Sequence, residues 1–313
     1  MKFKKTKHTH IVQQKYLQNF SVSENNKNLI WRFDKSREKI QKIPISKCAV
    51  ENYFYPQEIE DWLANEIELK GITLINVIIE KESVDFLDKT EKIDLIRWIL
   101  VQDCRTREYR IEIKQGIEAL TKRFLEIDFI PVTVPELLNK KYSIEYGEEP
   151  IRNLQMNMML RFEKLAPQLS NYHWYICVND TKLPFYTSDH PIIKRNPYIS
   201  SIQKITGKKA IGSGIGYLVE GVHLAVPISP RLLIEIGDLS PIMREPAPQF
   251  LKNELTKSKR QFVKKNVEFY NGMVIGFSNQ YIFSQTNDFT ITRDFLELNP
   301  EAKNKKRKRY KIM

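Results

Sequence analysis

Tyr172-His173-Trp174-Tyr175-Ile176-Cys177-Val178 is the stretch that decides the fold class. Its aromatic and β-branched side chains suit a pleated, packed surface and predict a strand. Residues 183–187, 216–228, 232–236 and 280–284 read the same way, with a helix from 248 to about 269 before the last of them. Upstream of Pro167 the pattern is different. Ile59, Trp62, Leu63, Ile67 and Leu69 follow Pro56, a good first-turn residue, and predict a helix from Gln57 into the Leu74 region. Ile93, Ile96, Leu100 and Val101 recur at three- and four-residue steps, predicting a second helix from Thr90 past Tyr109 toward Phe124. A third, after Pro150, carries Leu154, Met158, Met159 and Phe162.

Working outward, residues 29–34 alternate apolar and polar, and 40–45 follow a polar break, so a small N-terminal hairpin is expected, with Pro44 placing its second arm at an edge. Thr9 is expected to cap a helix through Tyr16, Leu17 and Phe20. The fold class is α+β: a helical middle region over about 57–167 and a mostly antiparallel sheet in the C-terminal half, about 168–290. One domain is expected over 8–302, between basic tails at 1–7 and 303–313. Residues 204–216, rich in Gly, Lys and Ser, read as a hairpin loop. Gly212-Ser213-Gly214-Ile215-Gly216 within it lacks the spacing of a dinucleotide-binding or Walker loop.

The chain has 313 residues, long enough for a sizeable core, with 42% hydrophobic and 28% charged residues. No apolar run reaches the roughly 18 residues of a membrane span, and no apolar signal region follows the Lys-rich start. Cys48, Cys104 and Cys177 form no CxxC pair, which argues for a reducing setting and against a zinc ribbon; cytoplasm is the expected location. The net charge is +12, but its placement matters. Lys2, Lys4, Lys5 and Lys7, with Lys303, Lys305, Lys306, Arg307, Lys308, Arg309 and Lys311, are all in the tails. Setting those eleven aside leaves 39 basic against 38 acidic residues in the body. The body is near neutral. The tails are the expected contact with nucleic acid, weak and salt-dependent, or simply solvated ends.

Two polar motifs stand among apolar anchors, Thr9 to Phe20 and Tyr186-Thr187-Ser188-Asp189-His190-Pro191, and buried polar groups need partners. Ser188 after a strand is a candidate nucleophile, although a Ser-Asp-x-Pro turn more often bonds its own backbone. His190, beside the proline, is expected to be exposed. His8 and His10, two apart, make a poor metal pair on a helix. Glu60 and Glu68 belong to a charged helical face, while Gln102 and Arg105 lie beside an apolar one. An inward Arg pairs with a carboxylate or binds an anionic substrate.

These motifs resemble the bacterial and archaeal domain-of-unknown-function family 4238. The family pattern H-x-x-P-x-x-Y-L-x-x-F falls on His10, Tyr16, Leu17 and Phe20, with Gln13 in place of proline. Its acidic helix falls on Ile67-Glu68, and Q-x-x-R-T-P on Gln102, Arg105 and Thr106, with Arg107 for proline. Its S-D-N-P falls on Ser188, Asp189 and Pro191, with His190 for Asn, and P-L-S-P on Pro227, Ile228, Ser229 and Pro230. Asn271 matches the late Asn. The resemblance spans about residues 8 to 285 and implies a grouping and candidate residues, not an activity.

Two function classes follow. One is a hydrolase acting on a phosphodiester or nucleotide, a nuclease among them. His10 would be the acid or base, Glu68 and Asp189 would orient it or hold a divalent metal, Ser188 would assist, and Arg105 would bind phosphate. Gln102, Asn271, Lys306 and Arg307 complete the expected substrate contacts. The other is a non-catalytic, nucleic-acid-associated binding protein whose polar cluster is a structural network. His10 at a helix start would be held neutral by the helix dipole. The convergence of His10, Glu68, Arg105 and Asp189 in space decides between them.

Overall fold

The computed structural model describes residues 9–51, 56–129, 143–200, 216–244 and 248–309. In chain order the elements are β1 (Thr9–His10), α1 (Gln14–Gln18), β2 (Val22–Glu24), β3 (Lys27–Asp34), β4 (Lys39–Pro44) and β5 (Val50–Glu51). One long helical stretch follows: α2 (Gln57–Trp62), a π-helical segment (Leu63–Glu68) and α3 (Leu69–Lys81). Next come α4 (Lys89–Cys104), α5 (Arg107–Phe124), α6 (Glu148–Phe162) and α7 (Ala166–Leu169). The later half holds β6 (His173–Asn179), β7 (Thr187–Ser188), β8 (Ile193–Arg195), β9 (His223–Pro227) and β10 (Leu232–Gly237). After these come α8 (Ser240–Arg244), α9 (Gln249–Leu255), β11 (Lys259–Phe262), α10 (Lys264–Phe277), β12 (Tyr281–Ser284) and α11 (Thr290–Leu298). The fold is α+β, as the sequence predicts.

One five-stranded sheet runs β11-β6-β10-β9-β8, antiparallel except for the β11–β6 pair. Side chains along a strand alternate between faces, and here both faces are buried. Trp174, Ile176, Val178, Leu224, Val226 and Ile234 pack toward the helical core, while Tyr175, Cys177, Ala225 and Leu233 pack into a second core. Burial on both sides explains the near-continuous apolar sequence. The second core also takes Phe33 and Ile282 from the other five-stranded sheet, together with Val267, Val274 and Ile275 of α10. In that sheet β3 pairs with β2, β4 and β12, and β12 pairs with β7. α10 is therefore the wedge between the two sheets.

The helical middle is tight where α3 crosses α4. A Cβ at Gly71 would sit 2.4 Å from the Trp98 ring, so only glycine permits that approach. α4 starts with a capping box, Asp88 accepting from the Glu91 N–H and Glu91 reaching back to the Asp88 N–H.

Several expectations give way. Thr9 caps nothing: Thr9–His10 is a strand paired with Val50–Glu51, and the helix starts at Gln14. His10 is therefore not at a helix N-terminus, and the dipole argument for its neutrality lapses. The single helix expected from 90 to 124 is two. They break at Arg105, and the Thr106 hydroxyl caps the second by accepting from the Tyr109 N–H. The helix expected over 248–269 is α9, then a strand, then α10. Of 183–187 and 216–228, only Thr187–Ser188 and His223–Pro227 are strand. Residues 1–7, His8 and the glycine segment up to 215 lie outside the described residues. So do 310–313, but Lys303 to Arg309 are described, and they lie against the body rather than apart from it. Among the described residues, no helix is long and apolar enough to cross a membrane.

Candidate functional site

The predicted residues gather in two places. In the first, Arg105, at the break after α4, is buried in full. Its Nε donates to the Ile11 carbonyl at 3.1 Å, one Nη to the His10 carbonyl at 2.8 Å and the other to Glu68 Oε1 at 2.5 Å. Gln102 Nε2 also donates to the Ile11 carbonyl, and its Oε1 accepts from the Gln13 N–H. Trp98 Nε1 donates to Gln13 Oε1, and Gln13 Nε2 to the Glu68 carbonyl. His10, Glu68, Arg105 and Gln102 do come together, as expected. Yet Arg105 grips the His10 backbone, and most of these donors are spent fixing residues 10–13 to α4. A small cleft of about 360 Å³ beside them is lined by His10, Lys15, Glu60 and Glu68. Burial pushes the Glu60 carboxyl up.

Asp189 does not join this group. It is buried at the end of β7, and its carboxylate accepts from the backbone N–H groups of Asn279, Gln280 and Tyr281 at 2.8–3.0 Å. Burial raises its carboxyl, and the nearby Lys35 ammonium and those N–H groups act against that rise. Expected to converge with His10, Glu68 and Arg105, Asp189 instead spends both oxygens on those N–H groups. Ser188 Oγ donates to the His190 carbonyl at 2.8 Å and accepts from the His190 N–H, closing the turn. Its side chain is fully buried. Asn271 on α10 accepts from the Tyr186 N–H and donates to the Pro184 carbonyl, which pins the strand. Lys306 is exposed on the C-terminal segment.

The second place is one the sequence did not single out. His190 is buried, against expectation, and lines a cleft of about 640 Å³ between α5, α10 and the C-terminal segment. The turn that Ser188 closes aims its ring at the α4–α5 break. Nδ1 lies 2.6 Å from Thr106 Oγ1, and Nε2 lies 3.3 Å from Asp103 Oδ1. The other Asp103 oxygen accepts from the Tyr217 hydroxyl and sits 3.8 Å from Lys194 Nζ, which lies over the Tyr217 ring. Burial, with Asp103 adding, holds the Tyr217 hydroxyl well above its ordinary value, so it stays a donor. Gln155 fastens the break by donating to the Cys104 and Thr106 carbonyls.

Arg307 and Arg309 complete one wall. Both bond Glu108, Arg309 through Nε and Nη2 at 2.8 and 2.6 Å and Arg307 at 2.9 Å. Arg307 also donates to the Gly276 and Ser278 carbonyls, where α10 ends. Burial alone would raise the Glu108 carboxyl, but the two guanidiniums outweigh it and hold the group below its usual range. Gln115 locks the strap by donating to the Arg307 carbonyl and accepting from the Arg309 N–H. Arg307 is thus committed to the protein. Lys194, whose Nζ is 3.8 Å from Asp103, and Lys308 are the cations on this cleft without a side-chain hydrogen bond among the described residues. Phe269, Phe277 and Phe295 supply apolar faces, and Gly272 and Gly276 leave its floor open. Among the described residues, no three His, Cys, Asp or Glu side chains are grouped to hold a metal.

Lys194 and Glu108 carried no motif that marks them. Asp103 and Thr106 sit inside the Q-x-x-R-T stretch, and His190 stands where the family pattern has Asn; those are the signals that pointed here. The family model of DUF4238, described as a protein of unknown function, matches residues 8–288, and the chain belongs to that family. No curated protein and no solved structure matches it.

Proposed function

We propose that the protein is a hydrolase acting on a phosphodiester or nucleotide, and that the His190 cleft, not the His10 group, is its substrate site. One observation carries this. An imidazole beside a buried carboxylate lines the same cleft as two lysines and three aromatic rings. Thr106 Oγ1 donates to the Asp103 carbonyl, so Nδ1–H donates to Thr106 and Nε2, 3.3 Å from Asp103 Oδ1, carries the lone pair that takes a proton. Water attacks phosphorus as the ester P–O bond breaks. The water proton passes to His190 Nε2, Asp103 stabilises the imidazolium, and the leaving oxygen takes a proton from solvent. Lys194 and Lys308 offset the charge on the phosphoryl oxygens. The aromatic faces suit a base or another flat group. The buried, unpaired Cys48, Cys104 and Cys177 support a cytoplasmic setting.

The test is turnover of RNA, DNA, nucleotides and bis(4-nitrophenyl) phosphate, with and without Mg²⁺ or Mn²⁺. His190→Asn keeps hydrogen-bonding groups for Thr106 and Asp103 but takes no proton, so it should cost about a hundredfold or more in rate. Full activity in His190→Asn overturns the role of His190. Ligand binding without turnover in the wild type would leave the non-catalytic binding protein as the reading.

A further inference from the structure

Beside the His190 cleft lies a second, of about 790 Å³, in the size range of small-molecule sites. Its walls are nearly all hydrocarbon: Ile117 and Leu120 from α5, Leu154, Met158 and Phe162 from α6, and Leu218 from the turn before β9. Leu120 is 65% exposed, Leu218 46% and Val219 37%, so these side chains line a surface that water reaches. An apolar surface of this kind, bounded by charge, marks a binding place.

The two clefts are neighbours with a shared wall. Lys194 and Glu112 line both. At the junction Lys194 lies over the Tyr217 ring at 4.5 Å, and the Tyr217 hydroxyl reaches back to Asp103. The same ammonium therefore faces a polar chamber on one side and a hydrocarbon chamber on the other. A nucleic-acid strand has no use for the second chamber. A single-chain amphiphile has use for both.

Resting on the reading of the first cleft as a phosphate site, we infer that the substrate is an amphiphilic phosphodiester of the lysophospholipid class. Its phosphate lies against Lys194 and Lys308 beside His190, and its hydrocarbon chain lies along α5 and α6. The charge of the first cleft and the apolarity of the second are matched in one molecule, and the shared lysine marks where head and tail meet.

Calorimetric titration with inorganic phosphate and with hexyl, octyl and decyl phosphate, each below its micelle concentration, tests this. Alkyl maltosides of equal chain length serve as neutral controls. Affinity should rise about threefold per added methylene, since each buried methylene favours the bound state. The maltosides should bind at least tenfold more weakly. Leu120→Glu and Leu218→Glu replace exposed side chains and should leave the fold intact by circular dichroism. Both should flatten the chain-length series while inorganic phosphate binds as before. A flat series in the wild type, with inorganic phosphate still bound, overturns the amphiphile and spares the phosphate site. Maltosides that match the alkyl phosphates show the clefts to be uncoupled, which also overturns it. Failure of every ligand, phosphate included, takes down the phosphate site and this inference together.

Discussion

The Arg105 centre and the His190 cleft are built from the same residue types and use them in opposite ways. Around Arg105, the guanidinium and the amides of Gln13 and Gln102 are turned onto backbone carbonyls and N–H groups of residues 10–13 and 68, plus one carboxylate. Little is left for a ligand. Around His190, the imidazole and the Lys194 ammonium line an open cleft with the buried Asp103 carboxylate behind them, 3.8 Å from Lys194 Nζ. A cluster of polar residues in a sequence is thus no guide to a site until its donors and acceptors have been counted. The first centre holds the chain together; the second has chemistry to spare.

The largest expected difference is in stability. Arg105→Met should cost about 3 kcal/mol by chemical denaturation, since it strips partners from two carbonyls and from Glu68. It should leave phosphate binding in the His190 cleft unchanged. A loss below about 1 kcal/mol would break the contrast.

The C-terminal strap comes next. The sequence reads 303–313 as a basic tail. Yet truncation after Asn304 leaves Glu108 buried without Arg307 and Arg309, and should cost about 2–3 kcal/mol. The carboxyl titrates below its ordinary value in the folded state, so its contribution is complete above about pH 4.5 and falls away as pH drops through the folded value. Hydrogen-exchange protection of residues 304–309, taken relative to the intrinsic rate at each pH, should fall on acidification from about pH 6 to about pH 3. Unchanged protection would show the strap is held by something else.

Asp189→Asn should cost about 2 kcal/mol, because one amide oxygen cannot serve three N–H donors. With Arg105→Gln the two losses should add, as Arg105 bonds residues 10, 11 and 68 while Asp189 bonds residues 279–281. Coupling above about 0.5 kcal/mol would join the two centres. The smallest effect is Lys194→Met, which should change stability by less than about 1 kcal/mol while abolishing phosphate binding.

The fold class was legible because both faces of β6 and β10 are buried, which leaves an unbroken apolar record in the sequence. The break at Arg105–Thr106 was not, since Ile96 to Val101 and Ile113 to Ile117 keep helical spacing and Thr106 looks like any helical Thr. Whether Thr9 starts a helix or a strand depends on pairing with Glu51, far along the chain. Arg105 was legible as an inward arginine that pairs with a carboxylate or binds an anionic substrate, and Glu68 accepts from one of its Nη atoms. His190 was read as exposed because a His before Pro in a turn carries no burial signal of its own. What buries it is the approach of α4 and α5, a long-range fact. The three N–H groups on Asp189 likewise come from a loop ninety residues on.

The central claim, that the His190 cleft and not the His10 group is the working site, is tested most directly by comparing phosphodiester turnover in His10→Ala and His190→Asn under identical conditions. The account predicts that His10→Ala keeps the wild-type rate within about threefold and that His190→Asn falls by about a hundredfold or more. The reverse pattern would contradict it.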